Sequence, residues 1–154
     1  MKKILRTATL LLAAALPLAP LTAAANDKAV LDALEGYLEF VDYGGANIFP
    51  LQIPKDEWKK MFVIDARDKV QYDKAHIPGA VHIEWRQVLA RRSEIPRDKP
   101  VLIYCNQGTL SAQAGFALRL AGYENVRILQ GGMAEWQARG GFDAAARATG
   151  APTH

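Results

Sequence analysis

The chain has 154 residues and one cysteine, a length that suits a single domain and a thiol count that rules out an internal disulfide framework. Its 19 Lys and Arg against 16 Asp and Glu give a formal charge of +3. That excess belongs to the first 25 residues, which carry three basic and no acidic side chains; without them the charge is zero, and no case for nucleic-acid or anionic-membrane binding remains.

Residues 1–25 read as an export signal. Lys2, Lys3 and Arg6 form a basic start, Ala8 to Leu18 an apolar run, Pro20 a break, and Ala23-Ala24-Ala25 a small-residue cleavage pattern before Asn26. The apolar run is short for a membrane span, which needs about 20 residues. The expectation is a periplasmic protein with no membrane span after cleavage.

Asp27 to Tyr43 is expected as a helix. Val30, Leu31, Leu34, Leu38 and Val41 recur at helical spacing, Asp27 can cap the start and Gly44-Gly45 ends it. An irregular stretch leads through Pro50 to Pro54, which suits the first turn of a short helix. Three apolar, β-branched runs follow as strands: Met61 to Ile64, Val101 to Tyr104 and Val126 to Leu129. Ala80 to Ile83 alternates like an edge or one-sided strand. Helices are expected over Trp85–Arg92, Leu110–Ala121 (with Gly122 past its end) and Met133–Arg139. From Ala144 the Ala-rich chain reads as a tail that frays. Strands alternating with helices predict an α/β fold, a mostly parallel central sheet with helices on both faces.

Cys105 stands where a strand runs into a short loop, Asn106-Gln107-Gly108, and a helix opens directly after it. In open α/β sheets that junction is the carboxyl edge where ligands bind. Loop amides and the positive helix end can both face the sulfur and favour thiolate over thiol. A buried cysteine acting as a small hydrophobe is the plain alternative; the position at the junction favours a nucleophile.

Asp65 and Arg67 end the first strong strand. They either bind a substrate or form a salt bridge that pins the following loop, and the second reading is favoured; Arg67 is kept as a substrate-binding candidate. His76, beside the turn Ile77-Pro78-Gly79, could serve Cys105 as a base, but hydrogen bonding to local backbone is the commoner role. His76, His82 and His154 lack zinc-like spacing, so neither metal nor cofactor is expected. A cysteine phosphatase uses a similar cradle but needs an arginine six residues after the cysteine, where this chain has Ser111.

Taken in order, the segments resemble a rhodanese-like domain. Ile64-Asp65-Ala66-Arg67 with Tyr72 and His76-Ile77-Pro78-Gly79-Ala80 is similar to that family's first signature. Asp98-Lys99-Pro100-Val101 running to Tyr104-Cys105 is similar to its active-site strand, and Gly122-Tyr123 to Leu129-Gln130-Gly131-Gly132 with Trp136 to its closing segment. The resemblance spans residues 51–142. It implies a sulfurtransferase in which Cys105 becomes a persulfide by taking sulfur from a donor such as thiosulfate, then yields it to cyanide or a thiol. Asn106, Gln107, Gly108, Thr109, Leu110 and Ser111 then cradle the sulfur, with Ser111 capping the helix or donating a hydrogen bond. Many active relatives carry Arg or Lys in this loop, and this loop carries none. The expected organisation is a signal peptide (1–25), a helical extension (26–50), the rhodanese-like domain (51–142) and a flexible tail (143–154). Two other readings remain: a sulfur-carrier or docking module that exchanges sulfur with a protein donor or acceptor, and a redox-active thiol.

Overall fold

The computed structural model describes residues 21–44 and 46–150. The expected signal segment lies outside them as far as residue 20, as does the end of the expected tail from residue 151. The first described element is helix α1, Leu21–Phe40. It starts before Asp27, so Asp27 sits inside the helix and caps nothing, and it ends before the expected Tyr43.

Five strands make one parallel sheet: β1 (Asn47–Ile48), β2 (Phe62–Asp65), β3 (Val81–His82), β4 (Val101–Tyr104) and β5 (Val126–Leu129). Their spatial order is β1-β5-β4-β2-β3, with β3 at an edge as its alternating sequence predicts. Strands β4 and β5 coincide with the expected runs. Strand β1, read from sequence as irregular, is two residues long and exists by pairing Asn47 with Ile128 and Ile48 with Leu129.

The central strand shows how the sheet divides the core. Val101 and Ile103 point to one face, where they pack with Ile64, Val126 and the helix residues Ala114 and Leu118. Leu102 and Tyr104 point to the other, among Ile53, Trp58, Val63, Ile77, Leu129 and Met133. Period-2 side-chain alternation in a strand with no polar position is the signature of burial on both faces. Each fully buried aliphatic side chain contributes about 1.5–3 kcal/mol.

Helix α4 (Thr109–Leu120) covers the first face. Helices α2 (Lys55–Trp58) and α5 (Gly132–Ala138) supply Trp58 and Met133 to the second. Between β2 and β3 runs α3 (Lys69–Lys74), started by Asp68, whose carboxylate accepts the Gln71 N–H at 2.8 Å. The segment Trp85–Arg92, expected as a helix, is a single 3-10 turn at Trp85–Gln87 followed by further turns. Residues 144–149, expected in the flexible tail, form α6 (Ala144–Thr149) instead. Its first residue, Ala144, is buried, and the helix packs on the Pro50–Gln52 turn.

In this order the chain leaves β2 in one direction and β4 in the other. The crevice between their carboxyl ends is the topological switch point, where Asp65 and Tyr104 are register partners.

Candidate active site

Cys105 follows β4 directly and is only 3% exposed. Its Sγ accepts the Gly108 N–H at 3.2 Å and lies 3.6 Å from the Ser111 hydroxyl. Gly108 is the N-cap of α4 with φ 113°, a left-handed conformation that a side chain resists, and it lets the loop turn its amides onto the sulfur. Burial pushes the Cys105 thiol up. The N–H and hydroxyl of Ser111, with the N–H groups of Gln107 and Gly108, act the other way and prevail, so its pKa lies below the ordinary thiol value.

Ser111 is buried and does not cap the helix, contrary to one of its two expected roles. Its Oγ lies 3.0 Å from the Gly108 carbonyl as well as 3.6 Å from Sγ. A hydroxyl has one proton to give, so carbonyl and sulfur compete for it. As charge develops on the sulfur, the stronger charge-assisted acceptor takes the proton.

Arg67 belongs to the frame of the site more than to its open face. It is 6% exposed and holds the fully buried Asp65 with Nε at 2.9 Å and Nη2 at 2.5 Å, while Nη2 also donates to the Ala75 carbonyl at 2.6 Å. The Asp65 hydrogen bond holds the Arg67 pKa above its usual value despite burial. One nitrogen, Nη1, remains toward the loop, 3.4 Å from Asn106 Oδ1. The ion pair thus pins the loop after β2, and Arg67 also lines the groove beside the thiol loop.

That groove, about 370 Å³, is lined by Arg67, Gln71, Lys74, Asn106, Gln107 and Gln137, among others. Asn106 Nδ2 donates to Gln71 Oε1 at 2.7 Å, which ties α3 to the loop. Lys74, at the end of α3, has no ion-pair partner among the described residues. Sequence reasoning passed over Lys74 and Gln71 because only the fold carries α3 to the thiol loop. Thr109 is exposed and Leu110 half-buried in the first turn of α4. A larger cavity of about 420 Å³, between Trp58, Val63, Pro78 and Phe142, includes no residue of the loop and is separate from this chemistry.

The two described histidines are occupied elsewhere, and His154 lies outside the described residues. His76 Nδ1 bonds the Tyr72 carbonyl at 2.9 Å and its ring stacks on Tyr72, while His82 Nε2 bonds the Arg67 carbonyl at 2.8 Å. Among the described residues no cluster of His, Cys, Asp and Glu is placed to hold a metal ion.

The loop is closed from behind by the Gly131-Gly132 turn. Met133 N–H donates to the Cys105 carbonyl at 2.8 Å and Ala134 N–H to the Asn106 carbonyl at 3.1 Å. Gly132 has φ 56°, and a Cβ there would stand 2.3 Å from the Cys105 carbonyl oxygen. A glycine is required at that point of contact.

A domain description for the rhodanese-like family matches residues 52–139. The chain is 33% identical over 96 residues to the probable adenylyltransferase/sulfurtransferase MoeZ of Mycobacterium tuberculosis, covering 60% of this chain but only 24% of that protein. It is 30% identical over 80 residues to the thiosulfate sulfurtransferase GlpE of Coxiella burnetii, covering 52% of this chain and 75% of that one. The solved rhodanese-like domain of the Anabaena protein Alr3790 superposes with a TM-score of 0.56 at 28% identity, over 62% of this chain and 76% of that one. The parallel sheet, the thiol at its carboxyl edge and these likenesses agree: the chain belongs to the rhodanese-like domain family.

Proposed function

We propose that this protein is a sulfurtransferase that carries sulfur on Cys105, with thiosulfate as a donor and a thiol or cyanide as acceptor. The observation that supports it is the buried thiol ringed by donors from Gln107, Gly108 and Ser111 at the start of α4. In the first step the Cys105 thiolate attacks the outer sulfur of thiosulfate. A new S–S bond forms, the S–S bond of the donor breaks, and sulfite leaves with its electron pair. The terminal sulfur of the persulfide then carries the negative charge, which the fixed dipoles of the loop meet without reorganisation. In the second step a thiolate or cyanide attacks that terminal sulfur and the electron pair of the breaking bond returns to Cys105.

The loop itself carries no cation. Lys74 and the Nη1 side of Arg67, which line the adjacent groove, support capture of the sulfonate end of the donor there. The test is intact-mass measurement after incubation with thiosulfate. Gain of one sulfur atom, lost again on adding cyanide, supports the reading; oxygen adducts or disulfide dimers without a sulfur adduct support the redox-thiol reading instead.

The cation-free loop also favours a second reading, in which a partner protein supplies or takes the sulfur. A stable Cys105 persulfide with negligible turnover on small donors and acceptors would select it. The export pattern of residues 1–25 supports a periplasmic site for the reaction; a mature protein that does not begin near Asn26 would overturn that reading.

A further inference from the structure

Helix α1 lies outside the matched residues 52–139 and touches the domain lightly. Its principal anchor is Tyr37, whose ring meets Phe116 of α4 edge-on at 4.9 Å, with Leu34 and Val41 half-buried on the same side. Beside that anchor an apolar seam stays open: Leu31 is 56% and Leu38 69% exposed. Leu31, Leu34, Leu38 and Val41 are spaced 3-4-3, the repeat with which one helix accepts another along a line of about 15 Å.

The open flank of this seam on α1 is mainly acidic, while on its other side Arg119 of α4 lies over the Tyr37 ring at 5.7 Å. Glu35 lies one turn from Leu31, with Asp32 and Glu39 further round, and Asp42 follows just beyond the end of the helix. Lys28 is already held by Asp32 at 2.7 Å. Glu35, Glu39 and Asp42 have no ion-pair partner among the described residues. Leaving two leucines in water beside unpaired carboxylates is a poor arrangement for an isolated helix and a good one for a basic counterpart.

We propose that this seam of α1 docks a basic amphipathic helix of a partner protein, one with an apolar stripe flanked by Lys or Arg. A second copy of this chain fits less well, because antiparallel pairing of two such seams brings the Glu35 flanks together, and parallel pairing sets them against Val30 and Tyr37, which offer no cation. An anionic membrane surface is repelled by the same charges. Because α1 packs on α4 through Phe116, in the second half of that helix and away from the loop at its start, docking leaves the thiol open.

The probe is a synthetic amphipathic peptide with Leu at a and d and Lys at every e and g position, which repels itself and pairs only with an acidic seam. Titrated into the full chain, it is expected to bind and gain helicity, and the affinity is expected to fall with added salt. Leu31→Ser with Leu38→Ser, both at exposed positions that leave the core alone, should weaken binding by at least about tenfold. Glu35→Lys with Glu39→Lys should do the same while thermal unfolding stays unchanged. The proposal is overturned if the peptide does not bind, if either double variant binds it as well as the native chain, or if a peptide with Glu at e and g binds equally. It is also overturned if sedimentation shows a dimer that the two serines dissolve, or if anionic vesicles bind at the same seam.

Discussion

Tyr104 donates its hydroxyl proton to Asp65 at 2.7 Å and accepts the Ile77 N–H at 2.9 Å. The residue before the thiol is thereby fixed to the end of β2 and to the turn that leads into β3. Asp65 in turn is held by Arg67, and Arg67 reaches Ala75 and Asn106. Burial and the Asp65 carboxylate keep the Tyr104 phenol protonated far above its ordinary range. The loop carrying Cys105 is therefore positioned by a buried polar network, each member of which has its partners.

Removing the cation from that network should be costly. Arg67→Met leaves the fully buried Asp65 carboxylate without its counter-charge, a change worth about 3–5 kcal/mol for buried pairs. Urea unfolding should show the loss. A change below about 1 kcal/mol would mean that the pair acts like an exposed one.

Cys105→Ser should abolish sulfur transfer and leave the fold intact, since the hydroxyl fits the same cradle but cannot carry a persulfide. Steady-state turnover with thiosulfate and cyanide, together with circular dichroism, checks both halves. Substantial residual turnover would place the nucleophile elsewhere.

The pH dependence follows from the lowered Cys105 pKa. Depression means that the thiolate is already populated below the free-thiol value of about 8.5 and is lost as pH falls through the folded pKa. The alkylation rate should rise with pH with its midpoint below that value. Ser111→Ala removes one donor to the sulfur and should move the midpoint upward. A native midpoint at or above about 8.5 contradicts the cradle.

Lys74→Gln tests the groove. Loss of one positive charge near an anionic donor at a solvated site is worth about 1 kcal/mol, or roughly fivefold in KM for thiosulfate. The effect should shrink with added salt and vanish with an uncharged persulfide donor. Equal KM values for both proteins at low salt would show that thiosulfate does not use Lys74.

Gly132→Ala should disturb the loop from behind. Its Cβ would meet the Cys105 carbonyl oxygen, and its φ of 56° is left-handed. We expect a destabilised chain and slower transfer, read by thermal unfolding and turnover together. An unchanged protein would show that the two turns separate without cost.

The sequence by itself determined the class of fold and the place of the thiol. Val101–Tyr104 and Val126–Leu129 are short β-branched runs between polar or glycine boundaries, a local pattern that is read over a few residues. The strand, loop and helix around Cys105 are likewise contiguous, so their order alone puts the thiol at the carboxyl edge of the sheet. Tertiary structure decided what contiguous residues cannot encode. Strand β1 takes its hydrogen bonds from β5, some eighty positions away in the chain, and has no strong pattern of its own. Helix α6 is ordered by its contact with the Pro50 turn. The reach of Arg67 to Asn106, 39 positions on, and the groove beside the thiol loop were set by α3 and β2 lying against the loop after β4. Short-range periodicity sets the elements, but a partner thirty or more residues distant is chosen by packing, through the burial of charge and the satisfaction of polar groups.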